Sequence, residues 1–454
     1  MITESESAAD APWSVYTWSE IADDDSTRIL RRSTEASFAR ELLDSVGELI
    51  DDVRARGDAA VSAALERFDG CTVAPDRLRV GPEEIASAVG HLDDALKRAI
   101  RTGLDNVRRF NERQAAERDW RMELGPGIAV GERLTPIQSA GVYVPAGKGA
   151  FPSVLMQIGT PAVVAGVPQI AVVVPPTAGG DGEIDPAVLF VASELGLDHV
   201  FRANGPAGIA ALAFGTETFP KVRMIVGPGS PPITAAQILV QLAGVKTHLL
   251  FGPSESLIIA DEHANADWIA ADLLNEAEHG PDSASLLVTP SARLVEQVAQ
   301  RIVPRLAELP EPRRGWAGRA LSHFGGVILV DDLVQAAEVA NTYAPEHMIV
   351  DVADPDALLP TLEHAGEILV GPWTPISAAN YAIGVPAALP TGGYATLNSG
   401  VTAHTFMKST SVARLSEQGL RAMSAAIVTL ARYEAFPAHA ASVEARFAPA
   451  DDGS

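Results

Sequence analysis

Downstream of Gly125, short β-branched runs alternate with Gly/Pro turns and helix-compatible segments, and this alternation limits the possible folds more than any other feature of the chain. The runs are Gly141-Val-Tyr-Val-Pro, Ile170-Ala-Val-Val-Val-Pro, His199-Val-Phe-Arg-Ala, Met224-Ile-Val-Gly, Thr247-His-Leu-Leu-Phe and Leu257-Ile-Ile-Ala-Asp, with helical stretches at 186–195, 209–214 and 234–242 between them. Strands apolar on both faces and separated by helices belong to parallel sheets covered on both sides. Helices are expected over 267–312. Gly325-Gly-Val-Ile-Leu-Val-Asp, His347-Met-Ile-Val-Asp and Glu367-Ile-Leu-Val-Gly then restore the alternation and predict a second α/β layer. The architecture is of a nucleotide-binding type without the G-x-G-x-x-G fingerprint. Gly227-Pro-Gly-Ser230, between a strand and a helix, is a candidate phosphate cradle, and a plain tight turn is an equal reading.

Helical spacing of apolar residues predicts further helices over 37–67, punctuated by Gly57, and over 82–117. The passage 373–399 is rich in turns, and the tail from about Ser409 is expected to be helical, of the kind that packs on a partner. With 454 residues the chain exceeds one hydrophobic core, so at least two domains are expected. A formal charge of −24 speaks against nucleic acid, whose phosphates call for excess Lys and Arg. No apolar run is long enough to span a membrane, the N-terminus lacks signal-peptide features, and the single cysteine, Cys71, fits a reducing compartment; a cytoplasmic location is expected.

Two short motifs carry candidate chemistry. In Leu274-Asn-Glu-Ala-Glu-His-Gly-Pro-Asp-Ser283, Glu276 and His279 stand three apart at a helix end and share a face, a pairing suited to zinc; a solvated acidic helix end is the competing reading. In Tyr343-Ala-Pro-Glu-His347, Glu346 and His347 enter a strand after a rigid turn. An imidazole there suits proton abstraction and a carboxylate suits water activation, against a plain structural pair. His439 alone is an ordinary helix histidine.

Taken together, Gly141-Val-Tyr-Val-Pro, 209–217, Gly227-Pro-Gly, Gly252-Pro-Ser-Glu255, Ala277-Glu-His-Gly-Pro-Asp-Ser283, Asn341-Thr-Tyr-Ala-Pro-Glu-His347 and Ala438-His439 resemble histidinol dehydrogenase, the zinc- and NAD-dependent enzyme of histidine biosynthesis. The resemblance implies two incomplete Rossmann-like domains: a metal and catalytic domain of 37–142 with 257–401, and an NAD-binding domain of 143–256. An N-terminal segment, 1–36, and a C-terminal arm, 402–454, exchanged in a homodimer, complete the expectation. It further implies that His347 is the base for alcohol oxidation and that Glu346 activates water for the aldehyde step. Tyr143 matches an NAD contact, Ser254 a substrate contact, and Glu434 a substrate contact from the partner subunit.

The departures are as informative as the matches. The family's metal ligands are Gln, His, Asp and His; here the positions hold Glu276, His279, Asn380 and His439. The exchanged amide and carboxylate preserve one negative charge, so a retained but rearranged metal site is expected. Ile376 stands where histidinol-oxidising members carry Glu, and Pro386 and Ala387 replace an Asn-His pair, which implies a more apolar or wider pocket. Ala207 and Ser230 replace a Gln and an Asn among the NAD contacts, and the passage after Tyr143 is one residue short. The expected activity is oxidation of a small polyfunctional alcohol through the aldehyde to the acid. A sulfonated propanediol is the alternative substrate, needing an anion-binding residue, for which Lys148 is a conceivable donor although a solvated loop lysine is the stronger reading; a non-catalytic ligand-binding paralogue is the other alternative.

Overall fold

The computed structural model describes residues 12–21, 29, 39–116, 118–146, 149–248 and 252–448. In chain order, β1 (Val15–Thr17) precedes a hairpin of β2 (Asp119–Gly125) and β3 (Ile128–Pro136). Five strands follow: β4 (Ser139–Tyr143), β5 (Gln169–Val174), β6 (Val200–Arg202), β7 (Met224–Val226) and β8 (Lys246–Thr247). Then come β9 (Glu255–Ala260), β10 (Ala284–Thr289), β11 (Gly326–Leu329), β12 (His347–Asp351), β13 (Glu367–Val370) and β14 (Met407–Leu415).

Two parallel sheets result, ordered β6-β5-β4-β7-β8 and β1-β11-β10-β9-β12-β13. β4, β9 and β10 are buried along their whole length, as expected of strands with helices on both faces. Asp185 caps the helix Pro186–Glu194 by accepting from the Ala187 and Val188 amides, and Asn265 does the same for Ala266–Ala277. The helices Arg40–Arg56 and Asp58–Ala64, split where Gly57 takes φ 57°, pack on the five-stranded sheet in one apolar cluster with Tyr143, Phe201 and Ile233. This differs from the expected grouping of 37–142 with the catalytic sheet, and the expected boundary at 142/143 falls inside β4. The helix expected over 82–117 is two, Pro82–His91 and Asp94–Gln114, broken at the extended Leu92.

Residues 12–114 and 137–406 of the description belong to one compact unit that holds both parallel sheets. A second unit comprises the described residues of 115–136 and 407–448. Its β14 is a correction to the helical tail expected from Ser409: residues 407–415 pair antiparallel with β3, and the helices are Glu417–Tyr433 and Pro437–Glu444. The misleading signal was Leu415, which ends the strand instead of opening the helix. Among the described residues no helix is long and apolar enough to cross a membrane.

Candidate active site

In the first unit a cavity of about 320 Å³ lies between the carboxyl edge of the five-stranded sheet and the amino edge of the six-stranded one. Tyr143 and Pro145 reach it from the end of β4, Ser230 from the turn after β7, and Ser254 from the residue before β9. Glu276 comes from the last turn of the helix Ala266–Ala277, His279 and Ser283 from the turn between it and β10, and Glu346 and His347 from the start of β12. Asn380, Ala387 and Thr391 complete the wall from the turn-rich passage. Strand beginnings supply this chemistry, whereas open α/β sheets usually bind ligands at their carboxyl ends.

Local sequence explains how the pair Glu346–His347 is delivered. The helix Leu333–Tyr343 ends at Ala344, which adopts a left-handed φ of 48° at a cost of about 1 kcal/mol. Pro345 then prevents the helix from resuming, and His347 becomes the first residue of β12. Glu346 Oε2 accepts from the Glu255 amide at 3.1 Å, and Glu255 Oε1 accepts from the Gly392 amide at 3.0 Å, tying the Pro-Thr turn to the same corner. His347 Nδ1 lies 2.5 Å from Glu367 Oε1, and its Nε2 lies 3.8 Å from Glu346 Oε1.

Around this one imidazole the carboxylates outnumber the cations. Glu255, Glu276 and Glu346 are 2%, 1% and 8% exposed, and Glu367 is buried beside them. Both oxygens of Glu276 lack a hydrogen-bond partner, since His279 Nδ1 faces the Glu276 main-chain carbonyl at 3.2 Å and stays 3.4 Å from Oε1. A buried carboxylate without donors is costly unless a cation meets it. Ligand atoms of Glu276, Glu346 and His347 come within 4.8 Å of one another, a spacing that a metal ion can bridge. That cluster could hold a metal ion, and His279 and Asn380 line the same cavity.

Burial raises the Glu346 carboxyl well above its usual range, with Glu276 and Glu255 adding to the effect and His347 opposing it. For His347 burial acts downward, but Glu346, Glu367 and Glu276 outweigh it and push the imidazole up to about 10.

A second cavity, of about 910 Å³, opens at the carboxyl edge of β4, β5 and β6 and shares Tyr143, Pro145, Phe151 and Ser230 with the first. Burial and the nearby Asp69 charge raise the Tyr143 phenol's pKa, and Asp69 accepts from Asn204 Nδ2 at 2.9 Å. The Gly227-Pro-Gly-Ser230 turn is not built as a phosphate cradle. A Cβ on Gly227 would lie 2.2 Å from the Tyr143 carbonyl oxygen, and one on Gly229 2.5 Å from Ile233 Cβ. Pro231 and Pro232 open the following helix without amide protons, so the glycines serve close packing.

The first cavity thus brings together Tyr143, Ser230, Ser254, Glu276, His279, Glu346, His347, Asn380 and Ala387. Ile376 does not line it: the side chain is fully buried in the apolar core with Leu369 and Ala379. Ala207 lines neither cavity and is fully buried in the cluster beneath the five-stranded sheet. Glu434 and His439 lie in the second unit and are exposed there, with the Phe436 and His439 rings 5.0 Å apart. Lys148 lies outside the described residues. Sequence reasoning missed Glu255 and Glu367; the available signal was a carboxylate opening an otherwise apolar strand, twice.

The histidinol dehydrogenase family model matches residues 31–447. A histidinol dehydrogenase of Synechocystis is 41% identical over 92% of this chain and 95% of its own length. A histidinol dehydrogenase homolog of Rhizobium meliloti is 38% identical over 95% of this chain and 93% of its own length. The crystal structure of histidinol dehydrogenase from Elizabethkingia anophelis superposes with a TM-score of 0.90 at 31% identity, covering 96% of this chain and 98% of that one. Members of this family use NAD and Zn²⁺. Matched along nearly all of its length in sequence and in fold, the chain belongs to the histidinol dehydrogenase family of oxidoreductases.

Proposed function

We propose that this protein oxidises a small amino alcohol through the aldehyde to the carboxylic acid, and that its pocket differs from that of histidinol-oxidising relatives. The observation that carries the substrate class is the charge of the cavity. Its lining includes Glu276, Asp282 and Glu346 and, among the described residues, neither Lys nor Arg. Around the zinc ligands such a wall offers a sulfonate no Lys or Arg partner, whereas its carboxylates can pair with an ammonium or imidazolium group. Pro386 and Ala387 support a pocket with fewer hydrogen-bonding groups, and Ala387 and Ala388 line the cavity.

His347 takes the proton of the substrate hydroxyl at Nε2 in the first oxidation. Glu346, held by the Glu255 amide, takes a proton from the water that adds to the aldehyde before the second. Glu276, His279 and Asn380 would hold zinc, with His439 as the fourth ligand and Glu434 as a substrate contact, both supplied by the arm of a second copy. Bound zinc would supply orientation and polarisation of the substrate oxygen, and bound NAD would supply the hydride acceptor. Tyr143 and Ser230 line both cavities, which supports their placement where nicotinamide and substrate meet.

Turnover should be compared with zinc and NAD⁺ over L-histidinol, smaller amino alcohols and 2,3-dihydroxypropane-1-sulfonate. The cationic members are expected to exceed the sulfonate by at least roughly tenfold in kcat/KM, the equivalent of one modest charge interaction. L-Histidinol is expected to rank below the best of them. Preference for the sulfonate overturns the substrate class, and turnover of L-histidinol as fast as by the Synechocystis relative overturns the altered pocket.

A further inference from the structure

We infer that Glu367 is a positioning residue that holds His347 through Nδ1 and so leaves Nε2 as the nitrogen offered to the substrate. The inference rests on His347 being the base of the proposed reaction.

Three observations on the polypeptide lead to it. His347 and Glu367 are register partners on the adjacent parallel strands β12 and β13, so their side chains leave the same sheet face side by side. The Nδ1–Oε1 separation of 2.5 Å puts the two groups in direct hydrogen-bond contact, and the two side chains are 4% and 6% exposed. The main chain is fastened at the same point: the Glu367 amide donates to the Glu346 carbonyl at 3.0 Å, and the Gly366 amide to that of Pro345 at 2.9 Å. A Cβ on Gly366 would lie 2.5 Å from the Glu346 carbonyl oxygen, so the approach of the strands requires glycine directly before Glu367.

The chemistry follows from what a carboxylate can do. An ionised carboxylate only accepts, so Nδ1 must carry the hydrogen and Nε2 keeps the lone pair when the ring is neutral. A carboxylate behind a catalytic imidazole fixes its tautomer and orientation and stabilises the imidazolium that forms when it takes a proton. Glu346 cannot serve this purpose here, because it faces Nε2 at 3.8 Å and its Oε2 is engaged by the Glu255 amide. The remaining oxygen of Glu367, Oε2, is buried without a hydrogen-bond partner among the described residues. A side chain kept only to brace two strands would gain nothing from a charge in that position.

The test uses the full-length zinc-loaded protein with selectively ¹⁵N-labelled histidine, the wild type beside Glu367→Gln and Glu367→Leu. Recorded at a pH where the ring is neutral, the wild-type His347 resonances, assigned by their loss in His347→Ala, should show a protonated Nδ1 and an unprotonated Nε2. Glu367→Gln retains an acceptor oxygen and should keep the protonated Nδ1 while kcat falls roughly tenfold. Glu367→Leu should lose that tautomer preference and roughly a hundredfold in kcat, the upper range for removing such a partner. KM for the fastest amino alcohol of the series and zinc content should stay within twofold in both variants. An unprotonated Nδ1 in the wild type overturns the inference, as does a kcat within twofold of wild type in folded Glu367→Leu. The spectra need no substrate, so a chain that oxidises none of the alcohols fails the functional reading while the tautomer is still decided.

Discussion

Replacing His347 with Ala is expected to lower kcat by roughly a thousandfold, within the range for a lost general base, while NAD⁺ binding and zinc content stay unchanged. The expectation follows from the position of the ring. It is buried at the start of β12, held at Nδ1, and lies with Glu346 against the cavity wall. The pH dependence sharpens it. Burial alone would depress the imidazole, but Glu346, Glu367 and Glu276 raise it to about 10, above the ordinary 6.5. A base must begin unprotonated, so a raised value starves the reaction of active enzyme at neutral pH and releases it as pH rises. The wild-type rate is therefore expected to climb from pH 7 toward about pH 10, and the residual rate of His347→Ala to lose that limb. A rate profile already flat above pH 7 would show that His347 is not the group whose proton must leave.

The second large effect concerns Glu276 and Asn380. Glu276→Gln removes the charge that compensates the amide at Asn380, and zinc affinity should fall by at least roughly tenfold, the lower end for losing even an outer-shell partner. Glu276→Gln with Asn380→Asp restores one carboxylate and one amide and should recover most of the loss. Additive losses in the double variant would place the two residues in separate sites. A stability measurement separates the metal from the protein's own packing. With chelator present, Glu276 is a buried side chain whose oxygens have no hydrogen-bond partner, and Glu276→Gln should stabilise the protein because a neutral amide costs less to bury than an unpaired charge. With zinc present the order should reverse.

Much of this arrangement was legible in the chain itself. β5, β9 and β12 are β-branched runs apolar on both faces, and only parallel sheets under helices accommodate such strands. Glu276 and His279 at a Gly-Pro helix end, and Glu346 and His347 after Ala-Pro, were readable because the chain's own breakers place them. What stayed hidden depends on pairing between distant segments. Glu367 meets His347 only through the β12–β13 register, and Glu255 meets Glu346 only where β9 runs beside β12. β14 was hidden for a different reason: its side chains are exposed from Lys408 onward, so no apolar periodicity marks it, and it is fixed by antiparallel pairing with β3. Ile376 and Ala207 could be placed by correspondence with relatives, but burial in separate cores removes both from the cavity walls.

The central claim is that one cavity carries an alcohol through two successive oxidations, with Glu346 supplying the water step between them. It is tested most directly by the ratio of NADH formed to carboxylic acid released from the best amino alcohol, under zinc and excess NAD⁺. The account predicts two NADH per acid with no free aldehyde, and Glu346→Gln forming aldehyde with one NADH. A wild-type ratio of one with the aldehyde released, or no NADH from any amino alcohol, would contradict it.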